Sequence, residues 1–321
     1  MWEIILWILL FIGAYFLIFF SVDVFLDNLK ELCLAYGLSA FIIGALVVGI
    51  GIDLEEFATS TIASVNGLPY LALGNVIGNS IIALTLCFAL PAIFYKFKFN
   101  SVPSFYFLII YASFFMIVLG FFLPFGLLIA GIITLGLYSI YFIRNLRHFH
   151  EMDLEESNVI EEEGLEQEEK KEKTKRRMIL LVIIGLLIII LAGELLVLSA
   201  EEIIKLTGLS ESFFGFVIIA FVNNVEELTL ITKAIKKHAV EVGLGGMLGK
   251  LIVNLTLVFG VSGIILINIV LIPSLIWNSV ILLLILLIIN LIVRKGSMNR
   301  KDGIILAIIF VTFLVFNFIW H

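Results

Sequence analysis

Four stretches of this chain place acidic, amide and ammonium groups inside apolar runs. GIGIDLEEFATS carries Asp53, Glu55 and Glu56, and GNVIGNS carries Asn75 and Asn79. AFVNNVEELTL carries Asn223, Asn224, Glu226 and Glu227, and GGMLGKLIVNLT carries Lys250 and Asn254. A charged side chain at the centre of a bilayer costs at least about 2.5–3.5 kcal/mol, so each must face protein, water or an ion. On a regular helix Asp53 and Glu56 share a face, and Glu55 is turned about 100° aside. Asn223 or Asn224 shares a face with Glu227, and Glu226 is turned away. Asn75 and Asn79 are four apart, as are Lys250 and Asn254, so each pair lies on one face. Carboxylate and carbonyl oxygens are what hard cations such as calcium bind. Glu56 and Glu227 are therefore the expected centre of a metal-ion site, with Asp53, Asn79, Asn223, Asn224 and Asn254 around it. Lys250 is a possible charge modulator: its ammonium would repel a cation and pair with a carboxylate. The bland alternatives are that Lys250 snorkels to an aqueous vestibule and that Asn75 or Asn254 only joins helices. Glu55 and Glu226 are read as peripheral to the site.

The elements that carry these residues are set by composition. The chain has 321 residues, 62% apolar and 14% charged, with a mean hydropathy of +1.18. A soluble domain is about half apolar and about a quarter charged, so lipid must solvate much of this surface. Ten apolar stretches have helical length: 3–21, 35–62, 68–94, 102–122, 125–143, 178–200, 210–233, 242–267, 271–293 and 303–320. Open strands cannot span lipid with unpaired edges, and the continuous apolar runs lack the alternation of a barrel wall. The expected fold is all-α and polytopic. Segment 3–20 lacks a basic flank and a small-residue cleavage site, so it reads as the first membrane helix. Cys33 and Cys87 fall in or beside apolar segments and read as thiols rather than a disulfide.

The two halves align at a constant offset of 171 residues. Gly37-Leu38-Ser39 falls on Gly208-Leu209-Ser210, Gly44 on Gly215, and Glu55-Glu56 on Glu226-Glu227. Gly74, Gly78 and Thr85 fall on Gly245, Gly249 and Thr256, and Asp23 on Glu194. Each repeat holds an odd number of spans, so the second half enters the membrane from the opposite side, an arrangement typical of secondary transporters. The expected organisation is a first five-helix repeat over 1–143, a charged linker over 144–177 and a second repeat over 178–321. Basic residues cluster in the odd-numbered loops: Lys30; Lys96 and Lys98; Arg144, Arg147 and 170–177; Lys233, Lys236 and Lys237; and Arg294 to Lys301. Lys205 is the exception in the even-numbered loops. The positive-inside rule then puts both termini outside and 144–177 in the cytoplasm of a cell-membrane protein. That segment lacks the regular oxygen spacing of a calcium-sensing loop.

With these motifs in hand, the chain resembles the calcium/cation antiporter superfamily, the sodium/calcium exchanger type. GIDLEE (Gly51–Glu56) and VNNVEE (Val222–Glu227) match the family's glutamate motif. GNVIGNS (Gly74–Ser80) and GGMLGKL (Gly245–Leu251) match its glycine motif. The resemblance implies ten helices in two inverted five-helix repeats and exchange of calcium for sodium by alternating access. It implies that Glu56 and Glu227 coordinate the central ion, aided by oxygens at Ile52, Asp53, Asn223 and Asn224. The serine of the glycine motif falls on Asn79 and Lys250, and a further Asn/Asp ligand on Ala83 and Asn254. The chain departs from the pattern at three places. The motif proline is replaced by Glu55 and Glu226, Ala83 offers no side-chain ligand, and Lys250 replaces a hydroxyl. The expected partners are inorganic cations and the bilayer. No nucleic acid, organic cofactor or catalytic residue is expected, and a monomer suffices for transport. Alternatives are a proton-coupled or other divalent-cation exchanger and a non-transporting scaffold or receptor. An intramembrane enzyme fits poorly, because His148, His150, His238 and His321 all lie outside the apolar core. A simple channel fits less well, since pores need rings of lining groups.

Overall fold

The computed structural model describes residues 2–35, 53–98, 103–156, 168–236 and 240–319. The first half holds α1 (Trp2–Ala35), α2 (Leu54–Val65), α3 (Pro69–Leu84), α4 (Leu86–Phe94), the strand β1 (Phe97–Lys98), α5 (Ser104–Gly120) and α6 (Gly126–Glu156). The second half opens with α7 (Glu168–Thr207) and α8 (Glu211–Phe213), followed by a π-helix, Phe214–Ile219, and α9 (Ala220–Asn223). It continues through α10 (Val225–Lys236), α11 (Val240–Val253), a second π-helix, Asn254–Val258, and α12 (Phe259–Leu266). It closes with α13 (Pro273–Lys295), β2 (Ser297–Met298) and α14 (Arg300–Ile319).

Among the described residues, seven segments are long and apolar enough to cross a membrane: Trp2–Leu32, Pro69–Phe94, Gly126–Asn145, Lys175–Thr207, Gly245–Leu266, Pro273–Lys295 and Arg300–Ile319. Ser104–Gly120 and Glu211–Asn223 are shorter apolar helices at the fourth and seventh expected spans. The second expected span, 35–62, runs mostly through residues 36–52, outside the described residues, and its remainder forms α2. Ile52, Gly44 and Gly37-Leu38-Ser39 lie outside them too. The expected linker is partly helical. α6 continues to Glu156 and α7 begins at Glu168, leaving 157–167 outside the described residues.

Burial sorts the spans into an inner and an outer set. Pro69–Phe94 is 83% buried and Gly245–Leu266 is 78% buried, against 22% for Trp2–Leu32 and 28% for Lys175–Thr207. The long helices α1 and α7 pack along each other and turn Leu9, Phe20 and Leu191 outward. Such a surface is compatible with lipid and not with water. The inner helices meet at glycines. A Cβ on Gly74 would stand 2.8 Å from the backbone nitrogen of Phe216, and one on Gly215 would stand 2.7 Å from the carbonyl oxygen of Leu71. A Cβ on Gly78 would collide with the Phe216 backbone. α3 and the first π-helix thus cross backbone to backbone, the small-residue packing used where no hydrophobic effect drives helices together.

Two helices stand at the offset read from sequence. α2 and α10 cover the same twelve positions 171 residues apart. Both halves lose regular α-geometry one element later. The first does so at Thr85, with φ −101° and ψ −77°, and the second in the π-helix around Thr256. The hydroxyls of Thr85 and Thr256 donate to the carbonyls of Ile81 and Ile252, the same bond at matching positions.

Connections far apart in sequence lie together. β1 pairs antiparallel with β2, and Arg144 of α6 stacks 4.1 Å over the ring of Phe105. At the other end, the Phe125 amide donates to Asn268 at 2.6 Å, and the hydroxyl of Tyr70 to the carbonyl of Val270 at 3.0 Å. Glu211, at the start of the seventh span, accepts from the amides of Tyr70 and Leu71 at 2.6 and 2.8 Å.

Candidate cation site

Apart from Glu226, whose side chain lies outside the described residues, the polar residues of the four stretches converge where α2, α3, α10 and α11 meet. The chain is not helical just before α2 and α10. Asp53 has φ −128° and ψ 26°, and its repeat mate Asn224 has φ −90° and ψ 2°. Each is the residue preceding a helix, and each carbonyl accepts that helix's first bond: Phe57 donates to Asp53 at 2.8 Å and Leu228 to Asn224 at 3.2 Å. Two helices therefore begin at the site, and acidic residues in a first helical turn are favoured by the helix dipole. Glu55 and Glu56 stand in that position in α2.

Glu56 is fully buried and Glu227 is 5% exposed. Between them sits the ammonium of Lys250, itself 5% exposed. It donates to Glu56 Oε1 at 2.7 Å and to Glu227 Oε1, and it lies 3.5 Å from Asp53 Oδ1. Lys250 thus points inward to the acidic cluster and does not snorkel outward. The symmetric glutamates of the two halves meet at one point, and a lysine joins them.

Amides make the next layer. Asn79 donates to Glu56 Oε1 at 3.2 Å, and Asn224 donates to the Asn79 side-chain oxygen and to the carbonyl of Ala220 at 2.8 Å. Asn223 donates to Asn75 at 3.2 Å, which donates to the hydroxyl of Ser60 at 2.9 Å. Asn254 donates to the carbonyl of Val76 at 2.8 Å and to Ser80 at 3.0 Å, which ties the second π-helix to α3. Asn79, Asn223 and Asn224 thus act here as donors that orient other groups. Asn254 instead keeps its oxygen buried without a hydrogen-bond partner.

Two expectations from the regular-helix reading need correction. Asp53 does not reach the site by sharing a helical face with Glu56, because it lies outside the helix. Glu55 is not turned away. It is buried, and carboxylate oxygens of Glu55, Glu56 and Glu227 all lie within 4.8 Å of one another. The 100° rotation presumes a continuous helix with a cavity on one side. A helix that starts at the cavity presents its whole first turn to it. Glu226 belongs to α10, the twin of α2. Cys87, the free thiol of α4, is buried and points at the carbonyl oxygen of Asn224 at 3.6 Å; the side chain of Cys33 lies outside the described residues.

The donor set is suited to a hard cation. Oxygen ligands sit about 2.3–2.6 Å from calcium, so opposed ligands are roughly 5 Å apart. The glutamate triad has this spacing. Both oxygens of Asp53 and the Oε2 atoms of Glu56 and Glu227 are buried without a hydrogen-bond partner. Groups of this kind are stable only beside a positive charge.

An all-α membrane protein with a buried acidic cluster held between two repeated helix pairs belongs among ion-handling membrane proteins rather than enzymes. A family model described as sodium/calcium exchanger protein matches residues 6–147 and 177–319, and the chain belongs to that family. It is 25% identical over 250 residues to an uncharacterised membrane protein of Methanocaldococcus jannaschii, covering 76% of this chain and 77% of that protein. Its fold is similar to solved structures of the sodium-calcium exchanger NCX_Mj. One, soaked with sodium and strontium, matches at 23% identity and a TM-score of 0.58 over 96% of this chain and 97% of that one. Another, soaked with sodium and calcium, matches at 23% identity and 0.56 over the same shares.

Proposed function

We propose that the protein is a secondary active cation antiporter that exchanges calcium for sodium by alternating access. The observation that carries this reading is the meeting of Glu56 and Glu227 in a buried cluster with Glu55 and Asp53. Family membership and the fold shared with a sodium-calcium exchanger support it. Glu56 and Glu227 hold the divalent ion, and Asp53 and Glu55 supply further carboxylate oxygen. Asn254 contributes its amide oxygen, and Asn79, Asn223 and Asn224 orient the carboxylates or turn their carbonyls inward when an ion is bound. Every one of these groups comes from one chain, so a monomer suffices.

The architecture follows the same reading: ten helices in two inverted five-helix repeats, 1–143 and 178–321, joined by a cytoplasmic segment, 144–177. Both termini are extracytoplasmic. The contacts among odd-numbered loops at one end and even-numbered loops at the other support this arrangement.

Calcium-45 uptake into proteoliposomes, under sodium, proton and potassium gradients imposed one at a time, tests the function. Uptake driven by an outward sodium gradient is expected. Uptake driven by protons alone would make this a proton-coupled exchanger, and no uptake under any gradient would leave a scaffold or receptor.

A further inference from the structure

Lys250 puts a covalently tethered cation at the point where the two repeats share their glutamates. It comes from α11 in the second half and reaches Glu56 of the first half at 2.7 Å, Glu227 of its own half, and Asp53 at 3.5 Å. The matching position in the first half is Asn79, which is neutral and donates to the same Glu56 oxygen. The pseudo-symmetric site therefore has one built-in positive charge, held from one side only.

In a carrier whose site is purely acidic, release of the cargo leaves carboxylates buried and uncompensated. Such a state is too costly to reorient through the membrane, and that cost makes exchange obligatory. Here the ammonium bonds both Glu56 and Glu227 and offsets one of their two charges whenever no metal ion lies between them. Asp53 offers a second berth at Oδ1, 3.5 Å from the ammonium, and leaves Oδ2 for the metal ion, since both oxygens are buried without hydrogen bonds. With the ammonium held on Asp53, Glu56 and Glu227 can close on a metal ion, and its return covers them after release.

We propose that Lys250 acts as an internal counter-ion that lets the metal-free protein reorient, so that the cation also moves by uniport without an exchanging ion. This inference rests on the antiport reading of the same residues and adds a return step to it. Lys250 is a positioning residue here, and nothing covalent changes in the cycle.

The test uses full-length protein in proteoliposomes preloaded with calcium-45. Efflux is followed into choline medium or into sodium medium, with tetraphenylphosphonium carrying the compensating charge. Wild-type efflux into choline should run within about threefold of efflux into sodium, while K250N, which installs the side chain of the repeat mate, should lower the choline-to-sodium efflux ratio at least about tenfold. K250R, which keeps a fixed charge, should retain efflux into choline. Wild-type efflux in sodium but not in choline would overturn the inference and leave antiport standing. An unchanged choline-to-sodium ratio in K250N would also overturn it, as would the same result in K250S should K250N not reach the membrane. Efflux into neither medium would overturn the antiport reading, and this inference with it.

Discussion

The two halves place a helix at matching positions and hang different side chains around it. Leu54–Val65 and Val225–Lys236 occupy the same repeat positions, each preceded by a non-helical residue and each followed by a helix that breaks near a threonine. The side chains at matched positions diverge. Asp53 faces Asn224 across the repeat, Asn79 faces Lys250, and Ala83 faces Asn254. The first half brings Asp53, Glu55 and Glu56 to the junction, and the second brings Glu227, the ammonium and an amide whose oxygen has no hydrogen-bond partner. Pseudo-symmetry fixes where ligands can stand. The exchanged side chains decide what the site's net charge is and which half can release its grip.

The comparison breaks most sharply at the shared glutamates. E56Q and E227Q should each cost exchange roughly a hundredfold, as expected when about 3 kcal/mol of ion binding is lost, while membrane-extracted yield stays the same. Calcium-45 uptake normalised to reconstituted protein reads this. Retained uptake in either variant would mean that the halves do not share one ion.

Glu55 sharpens the same contrast. Its carboxylate lies within 4.8 Å of both other glutamates, so E55Q should reduce exchange about tenfold. An effect below twofold would return Glu55 to the periphery, where the regular-helix reading had it.

A smaller effect is expected at the amide. N254A removes the buried side-chain oxygen that its repeat mate Ala83 cannot supply. The apparent affinity for calcium should fall about fivefold, equivalent to roughly 1 kcal/mol, as read from half-saturating concentrations. A variant as tight as wild type would remove Asn254 from the ligand set.

The last contrast concerns stability alone. G78A drives a methyl into the Phe216 backbone and should cost about 1–3 kcal/mol. Its mate G249A meets only the hydroxyl of Tyr141, 3.2 Å away at the end of a side chain, and should melt close to wild type in detergent. Equal melting temperatures would show that the α3 crossing has more slack than its geometry implies.

Much of this was legible in the sequence because membrane insertion is unforgiving. Acidic pairs recurring at a fixed offset inside apolar runs have few interpretations, and Glu56 and Glu227 meet as that pattern required. The glycines of GNVIGNS pack as small-residue motifs do. Lys250 was marked by its motif position, although its choice between cavity and vestibule depended on a swing that only coordinates reveal. Asp53 was expected in the site and lies there, but not by a shared helical face, because the helix begins at Leu54; Glu55 was set aside because the first turn of a helix that starts at the cluster was not foreseen. The π-helices at Phe214–Ile219 and Asn254–Val258 left no mark either. An extra residue per turn is bought by tertiary packing and not by any residue's propensity. Span lengths suffered similarly, since the polar stretch after 144 continues the helix Gly126–Glu156 rather than ending it.

The bond from Lys250 to Glu56 spans 194 residues of sequence. A ribosome adding about 5–20 residues per second needs on the order of 10–40 s to travel that distance. Throughout that interval the nascent chain already holds Asp53, Glu55 and Glu56 in its second hydrophobic segment, and their lysine has not yet been made. Those carboxyls must wait either protonated or sheltered by the insertion machinery.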